Sequence, residues 1–260
     1  MRNAVRRLPL VALPIAAALL AGCAYAPPSH QEVQEEAQAA PEVISTPWSI
    51  ASSPVSPEPW QHWGLPGKRP SQFAYARKDG RDTMAVSAAS SASMLRHAVR
   101  IDPEELGSVR FSWKVPELIR KADMAARETD DSPVRIVLAF EGDRSAFSPK
   151  NALLSELARA LTGEPMPYAT LMYVWCNKRE AGSVILNPRT DRVRKMVVES
   201  GARNLGQWLD YERDIRADFL KAFGEEPGPL VGIGIMTDTD NTKSTAKAWY
   251  GPVRLARQSP

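Results

Sequence analysis

Met236-Thr-Asp-Thr-Asp-Asn-Thr242 holds the densest polar chemistry in this 260-residue chain. Asp238, Asp240 and Asn241 offer hard oxygen ligands at a spacing that suits calcium. The run lacks the central Gly and the distant bidentate Glu of a helix–loop–helix calcium loop. Three chemistries stay open: a turn whose side chains bond nearby amides, a contact to a polar ligand, and a calcium site on Asp238 and Asp240. A second set, Arg135, Tyr173, Trp175 and Asn177, falls on two strongly apolar segments. There Arg supplies a planar fork for carboxylate or hydroxyl groups, and the aromatic rings supply faces for a sugar. Trp113, Trp175, Trp208 and Trp249 also fit core positions with their indole N–H satisfied.

Signals for catalysis are sparse. No His-Glu-x-x-His, Gly-x-Ser-x-Gly, Walker loop or Cys-x-x-Cys pair occurs. Glu141-Gly-Asp143 after a strand resembles part of the Glu-x-Asp-x-x-Glu motif of some jelly-roll glycosidases, with Ala146 in place of the third acid. A carboxylate-dependent glycosidase using Glu141 and Asp143 is therefore the enzyme alternative. Cys176 lies in the apolar run from Thr170, where a buried small hydrophobe is the default. A cysteine nucleophile would need one of only three histidines, His30, His62 or His97, as its base.

The elements that must position these groups are mostly strands. Gln72–Ala76 and Thr83–Ser87 flank Lys78-Asp-Gly-Arg81, a hairpin turn signal. Val109, Phe111, Trp113 and Val115 alternate with polar neighbours, as a half-buried strand does. Val134–Phe140, Leu171–Cys176, Val184–Leu186, Val193–Val198, Val231–Met236 and Trp249–Leu255 continue the series. Two helices are expected. One is Asn151–Leu161, with Leu153, Leu154, Leu157, Ala158 and Leu161 facing the core. The other is about Leu209–Phe223, with an apolar residue every fourth position and Gly224 as its stop. Many strands with few helices argue for face-to-face antiparallel sheets and against a doubly wound parallel sheet.

The N-terminus carries an address. Arg2, Arg6 and Arg7 precede a short apolar run, Leu8–Leu20, of export-signal length and too short to span a bilayer. Leu20-Ala21-Gly22-Cys23 resembles the lipobox of bacterial lipoproteins, which implies cleavage before Cys23 and acylation of that cysteine. Several acyl chains give durable anchoring. Ala24, where an inner-membrane-retaining Asp is absent, favours the outer membrane by resemblance to the Gram-negative sorting rule. Residues 23–58 are Pro-, Ser-, Ala- and Glu-rich, the composition of a disordered tether. Residues 59–257 suffice for one domain. The chain's net charge is +3, and removing the signal with its three arginines leaves it near neutral. The acidic tether then leaves the domain at about +5, without the clustered basic stripe that nucleic acid favours.

From Val134 onward the chain resembles a bacterial family known as domain of unknown function 3047. The resemblance is carried by Arg135-Ile-Val-Leu-Ala-Phe140, Leu171-Met-Tyr-Val-Trp175, Val197-Val-Glu-Ser-Gly201, Leu205-Gly-Gln-Trp208, Arg213-Asp-Ile215 and Asp218-Phe219. Its most specific blocks are Gly232-Ile-Gly-Ile-Met-Thr-Asp-Thr-Asp-Asn-Thr242 and Ala248-Trp-Tyr-Gly251. Pro252 stands where the pattern leads to an acidic residue. The family implies a fold and no reaction. The layout is also similar to carbohydrate-binding jelly rolls. The expectation is an all-β, mainly antiparallel β-sandwich or jelly roll with two or three short helices. It would sit at the periplasmic face of the outer membrane and bind a polar ligand such as a glycan, with calcium as the candidate cofactor. The remaining alternative is a structural envelope protein without a small ligand.

Overall fold

The computed structural model describes residues 43–52 and 58–258. The export signal, Cys23 and the tether up to residue 42 lie outside the described residues. In chain order the elements are β1 (Val43–Ile44), α1 (Pro47–Ala51), β2 (Trp60–Gly64), β3 (Gln72–Lys78), β4 (Arg81–Ala89), β5 (Ala92–Ile101), β6 (Leu106–Lys114) and β7 (Ser132–Phe140). They continue with α2 (Pro149–Thr162), β8 (Ala169–Cys176), β9 (Val184–Leu186), β10 (Val193–Ser200), β11 (Trp208–Asp214), α3 (Ile215–Phe223), β12 (Leu230–Asp238), β13 (Thr245–Tyr250) and β14 (Arg254–Arg257).

The strands form two sheets. The larger runs β1-β2-β5-β12-β7-β8-β10-β9, the smaller β11-β6-β13-β4-β3, with β14 paired to β6. Pairing among the described strands is antiparallel except for β8 with β10. Period-two alternation explains the sandwich. Val134, Ile136, Leu138 and Phe140 of β7 and Leu171 and Tyr173 of β8 point inward, to meet Val109, Phe111 and Trp113 of β6 and Ala248 and Tyr250 of β13. The mainly β, two-sheet architecture is the one the strand pattern implied. The β3–β4 hairpin turns where expected: Asp79 and Gly80 both have positive φ (52° and 80°), as a tight two-residue turn requires. Among the described residues no helix is long and apolar enough to cross a membrane.

Three sequence expectations are corrected. Residues 208–214 are strand β11, paired with β6, and the helix begins only at Ile215, capped by Asp214. A four-residue apolar recurrence is compatible with both the helical and the strand period, so it could not separate them. Next, Leu153, Leu157 and Leu161 do not face the core; they are 71, 53 and 52% exposed in the order Leu153, Leu161, Leu157. Instead α2 turns Asn151 and Ser155 inward, because Asn151 is tied to Asp191 (2.5 Å) and Thr190 (2.8 Å). Finally, the packed body begins before residue 59. Trp48 is fully buried against Trp60 (4.9 Å between ring centroids), a Thr46–Ser49 capping box closes α1, and Ser52 Oγ accepts from the Val253 amide (3.1 Å). One large aromatic and a cap outweigh the disorder-prone composition around them.

Candidate functional site

The Asp238–Thr242 turn follows β12 and is folded into a buried ionic cluster. Asp238 and Asp240 are 5% and 7% exposed. Asp131 clamps the turn: its carboxylate accepts from the Asn241 amide (3.1 Å) and side chain (3.1 Å), and from the Thr242 amide (2.7 Å) and hydroxyl (2.5 Å). Arg135, projecting from β7, reaches Asp238 (3.1 Å) and Asp130 (3.1 Å). Lys195, from β10, donates to Asp130 (2.6 Å) and to the Met124 carbonyl (2.8 Å). Lys68 pairs with Asp240.

Burial pushes the Asp238 carboxyl up to about 8 against the pull of Arg135. Burial also penalises Asp240, yet its carboxyl ends below the ordinary value because Asp238 and Lys68 hydrogen-bond to its charged form. Burial lowers the Lys195 ammonium to about 8, helped by Arg135 and opposed by Asp130. Oxygens of Asp131, Asp238 and Asp240 lie within 4.8 Å of one another, a spacing a cation could use. Arg135 already pairs with Asp238, Lys68 with Asp240, and the Asn241–Thr242 donors with Asp131, so a cation there would compete with these partners. The cluster ties three strands of the larger sheet, β7, β10 and β12, to the segments that carry Lys68, Asp130–Asp131 and Asp240–Thr242.

Of the residues singled out in the sequence, the fold gathers Arg135, Asp238, Asp240 and Asn241. It sends Tyr173 and Trp175 elsewhere. On β8, Val174 lies opposite Arg135, so its neighbours point to the other face, where both rings are at most 1% exposed. Asn177 donates to the carbonyls of Ile119 (2.8 Å) and Ala122 (3.1 Å), pinning a loop. Glu141 is engaged by Arg144 (2.9 and 3.1 Å), and Asp143 caps the Ser145 amide (2.9 Å), whose hydrogen bonds hold its carboxyl below the usual range. Both carboxylates are thus engaged by neighbours in their own loop.

A different surface carries two half-buried aromatic rings. On the outer side of the smaller sheet, Trp208 (β11), Lys114 (β6) and Trp249 (β13) stand in one row, each directly opposite the next. Two strand spacings put the rings about 9.5 Å apart. Asp79 accepts from Lys114 (2.6 Å) and from the Trp208 indole (3.1 Å). Arg81 stacks over Trp208 (4.9 Å to the centroid) and grips Asp210 (2.7 and 3.2 Å). Beside the row runs a groove of about 590 Å³, lined among others by Arg81, Arg110, Ser112, Asp210, Glu212 and Pro252. The sequence placed both tryptophans as fitting the core; the register instead sets them, half-buried, in one row on the outer side of the sheet.

The profile of the family described as Protein of unknown function (DUF3047) matches residues 58–254. The chain belongs to this DUF3047 family. The match takes in the Asp238 turn and the Trp208–Trp249 row, and leaves α1 outside it. In this DUF3047 chain, Pro252, at the position where an acid was expected, forms part of the groove wall. No curated protein matches it in sequence. Among solved structures it is similar to a CBM4 structure (9% identity, 78% of this chain and 90% of that one, TM-score 0.36). It is also similar to the xyloglucanase domain of NopAA, a type three effector from Sinorhizobium fredii, in complex with cellobiose (8%, 85% and 97%, TM-score 0.42). A third is the family 11 xylanase from Neocallimastix patriciarum (9%, 77% and 91%, TM-score 0.36).

Proposed function

We propose that this DUF3047 protein is a lipid-anchored envelope protein whose sandwich is a non-catalytic module binding a glycan on the outer face of its smaller sheet. The observation that carries the reading is the Trp208–Lys114–Trp249 row with a polar groove at its side. Sugar rings have apolar faces and hydroxyl edges, so flat aromatic rings flanked by fixed carboxylates and guanidinium groups match them. The solved structures named above include carbohydrate-binding and glycan-degrading proteins, but at those TM-scores the reading stands on this chain's own surface. The site thus moves from the Asp238 turn, whose oxygens are engaged, to the sheet. That engagement favours a second reading, a structural envelope protein without a small ligand.

A glycan array with the chain from Ala24 to Pro260 separates the two. Binding is expected, and Trp208→Ala and Trp249→Ala should each weaken it about tenfold, or about 1.4 kcal/mol. Binding unchanged in both variants would remove the row from the site, and no binding to any glycan would leave the structural reading. The anchor rests on the Cys23 lipobox sequence. Cys23→Ala should move the protein from the membrane fraction to the soluble periplasm, and continued membrane fractionation would mean that acylation is not what holds it.

A further inference from the structure

Resting on that glycan reading, we propose that the ligand is an acidic glycan, one whose sugars carry carboxylates, and that Trp249 seats such a sugar between Lys78 and Lys247. The two ends of the aromatic row differ in charge balance. At Trp208 the cations are matched: Arg81 grips Asp210 in a two-pronged contact, and Arg110 pairs with Glu212 (3.0 Å). At Trp249 they are not. Lys78 and Lys247 both lie over the ring, with their ammonium nitrogens 5.0 and 5.1 Å from its centroid. Lys247 has no ion-pair partner among the described residues. Lys78 makes only a loose contact with Asp79 (3.9 Å), whose other oxygen already serves Lys114 and the Trp208 indole.

The backbone leaves room for a sugar there. Trp249 faces Ala85 across the ladder, and Ala85 faces Ala74, so the floor beside the ring is built of methyl groups. One row on, Lys247 faces Ser87 and Ser87 faces Gln72, which places hydrogen-bonding groups along the same path. The path opens into a second groove, of about 350 Å³, where Arg69 joins Lys247 and Glu117 is the acidic lining residue. Arg69 likewise has no ion-pair partner among the described residues. Exposed cation–π contacts are weak, so a sugar can take the ring face while the ammonium groups swing to its carboxylate. A neutral sugar displaces the same lysines and gives them nothing in return. The surface therefore discriminates by charge.

The test uses the chain from Ala24 to Pro260 and polymers matched in backbone but not in charge. Carboxymethylcellulose is compared with hydroxyethylcellulose, polygalacturonate with its methyl ester, and dextran sulfate serves as a charge-only control. The acidic member of a matched pair should bind at least about tenfold tighter at low salt. That preference should shrink as ionic strength rises from about 0.05 to about 0.5 M. Lys78→Glu with Lys247→Glu, both surface changes, should abolish the preference while circular dichroism stays native. Trp249→Ala should weaken the acidic polymers. Equal Trp249-dependent binding of neutral polymers would overturn the acidic assignment and leave the glycan reading intact. Equal binding of dextran sulfate, insensitive to Trp249→Ala, would overturn it as mere charge attraction. Failure of every polymer to bind would overturn both.

Discussion

At the residue scale, the most conspicuous acids serve the fold. Asp130 is 3% exposed and neutralises two buried cations at once, Lys195 and Arg135. Asp130→Asn should cost about 3–5 kcal/mol, because it leaves the buried Lys195 without a carboxylate partner and Arg135 with Asp238 alone. Urea unfolding measures this, and a loss below about 1 kcal/mol would mean that solvent reaches the cluster. His97 is fully buried and ring-stacked on Trp60 (5.4 Å). Burial holds its imidazole below 6.5, with the Pro59 carbonyl and Glu58 pulling the other way. A depressed folded value means that the histidine's contribution is present above the unfolded value of about 6.5 and is lost as pH falls. Stability should therefore drop more steeply as pH falls below about 6.5 in the wild type than in His97→Phe. Parallel pH profiles in thermal melts would rule out His97 as the source. Sequence exposed the Asp238 turn but not its partners: Asp130 and Asp131 come from a loop, Lys68 from another, and Lys195 reads as one cation among many.

At the element scale, strands were legible and helices less so. Alternation locates β6, β7 and β8 because one face of each is wholly apolar. The errors share a cause: a local pattern cannot say which partner it meets. On β11, Leu209 and Tyr211 lie inward at the strand period, and pairing with β6 decides the matter. On α2, polar ties at Asn151 set the roll of the helix and turn three leucines to solvent. On α1, a single Trp folds a Pro- and Ser-rich segment back onto the sandwich. Trp48→Ala should accordingly cost about 3–5 kcal/mol in thermal or urea unfolding, the loss typical of a buried large aromatic. A variant as stable as the wild type would return residues 43–52 to the tether.

At the scale of the whole molecule, the two-sheet architecture and the family were readable from sequence, since strand periodicity and the block around Gly232–Thr242 survive without knowing the register. The proposed site was not. Trp208, Lys114 and Trp249 are separated by long stretches of chain, and only the β11-β6-β13 order sets them in one row. The same order leaves Trp113 and Trp175 in the core, at 0 and 1% exposure, so chemically identical residues acquire opposite roles. That contrast makes the seven tryptophans of the chain a built-in reporter. The most direct measurement is a two-dimensional NMR titration of the indole N–H signals, assigned by single substitutions, with a glycan that binds. The Trp208 and Trp249 signals should shift in proportion to saturation while those of Trp113 and Trp175 stay in place. Shifts that leave Trp208 and Trp249 untouched, and gather instead at the amides of the Asp238–Thr242 turn, would contradict it.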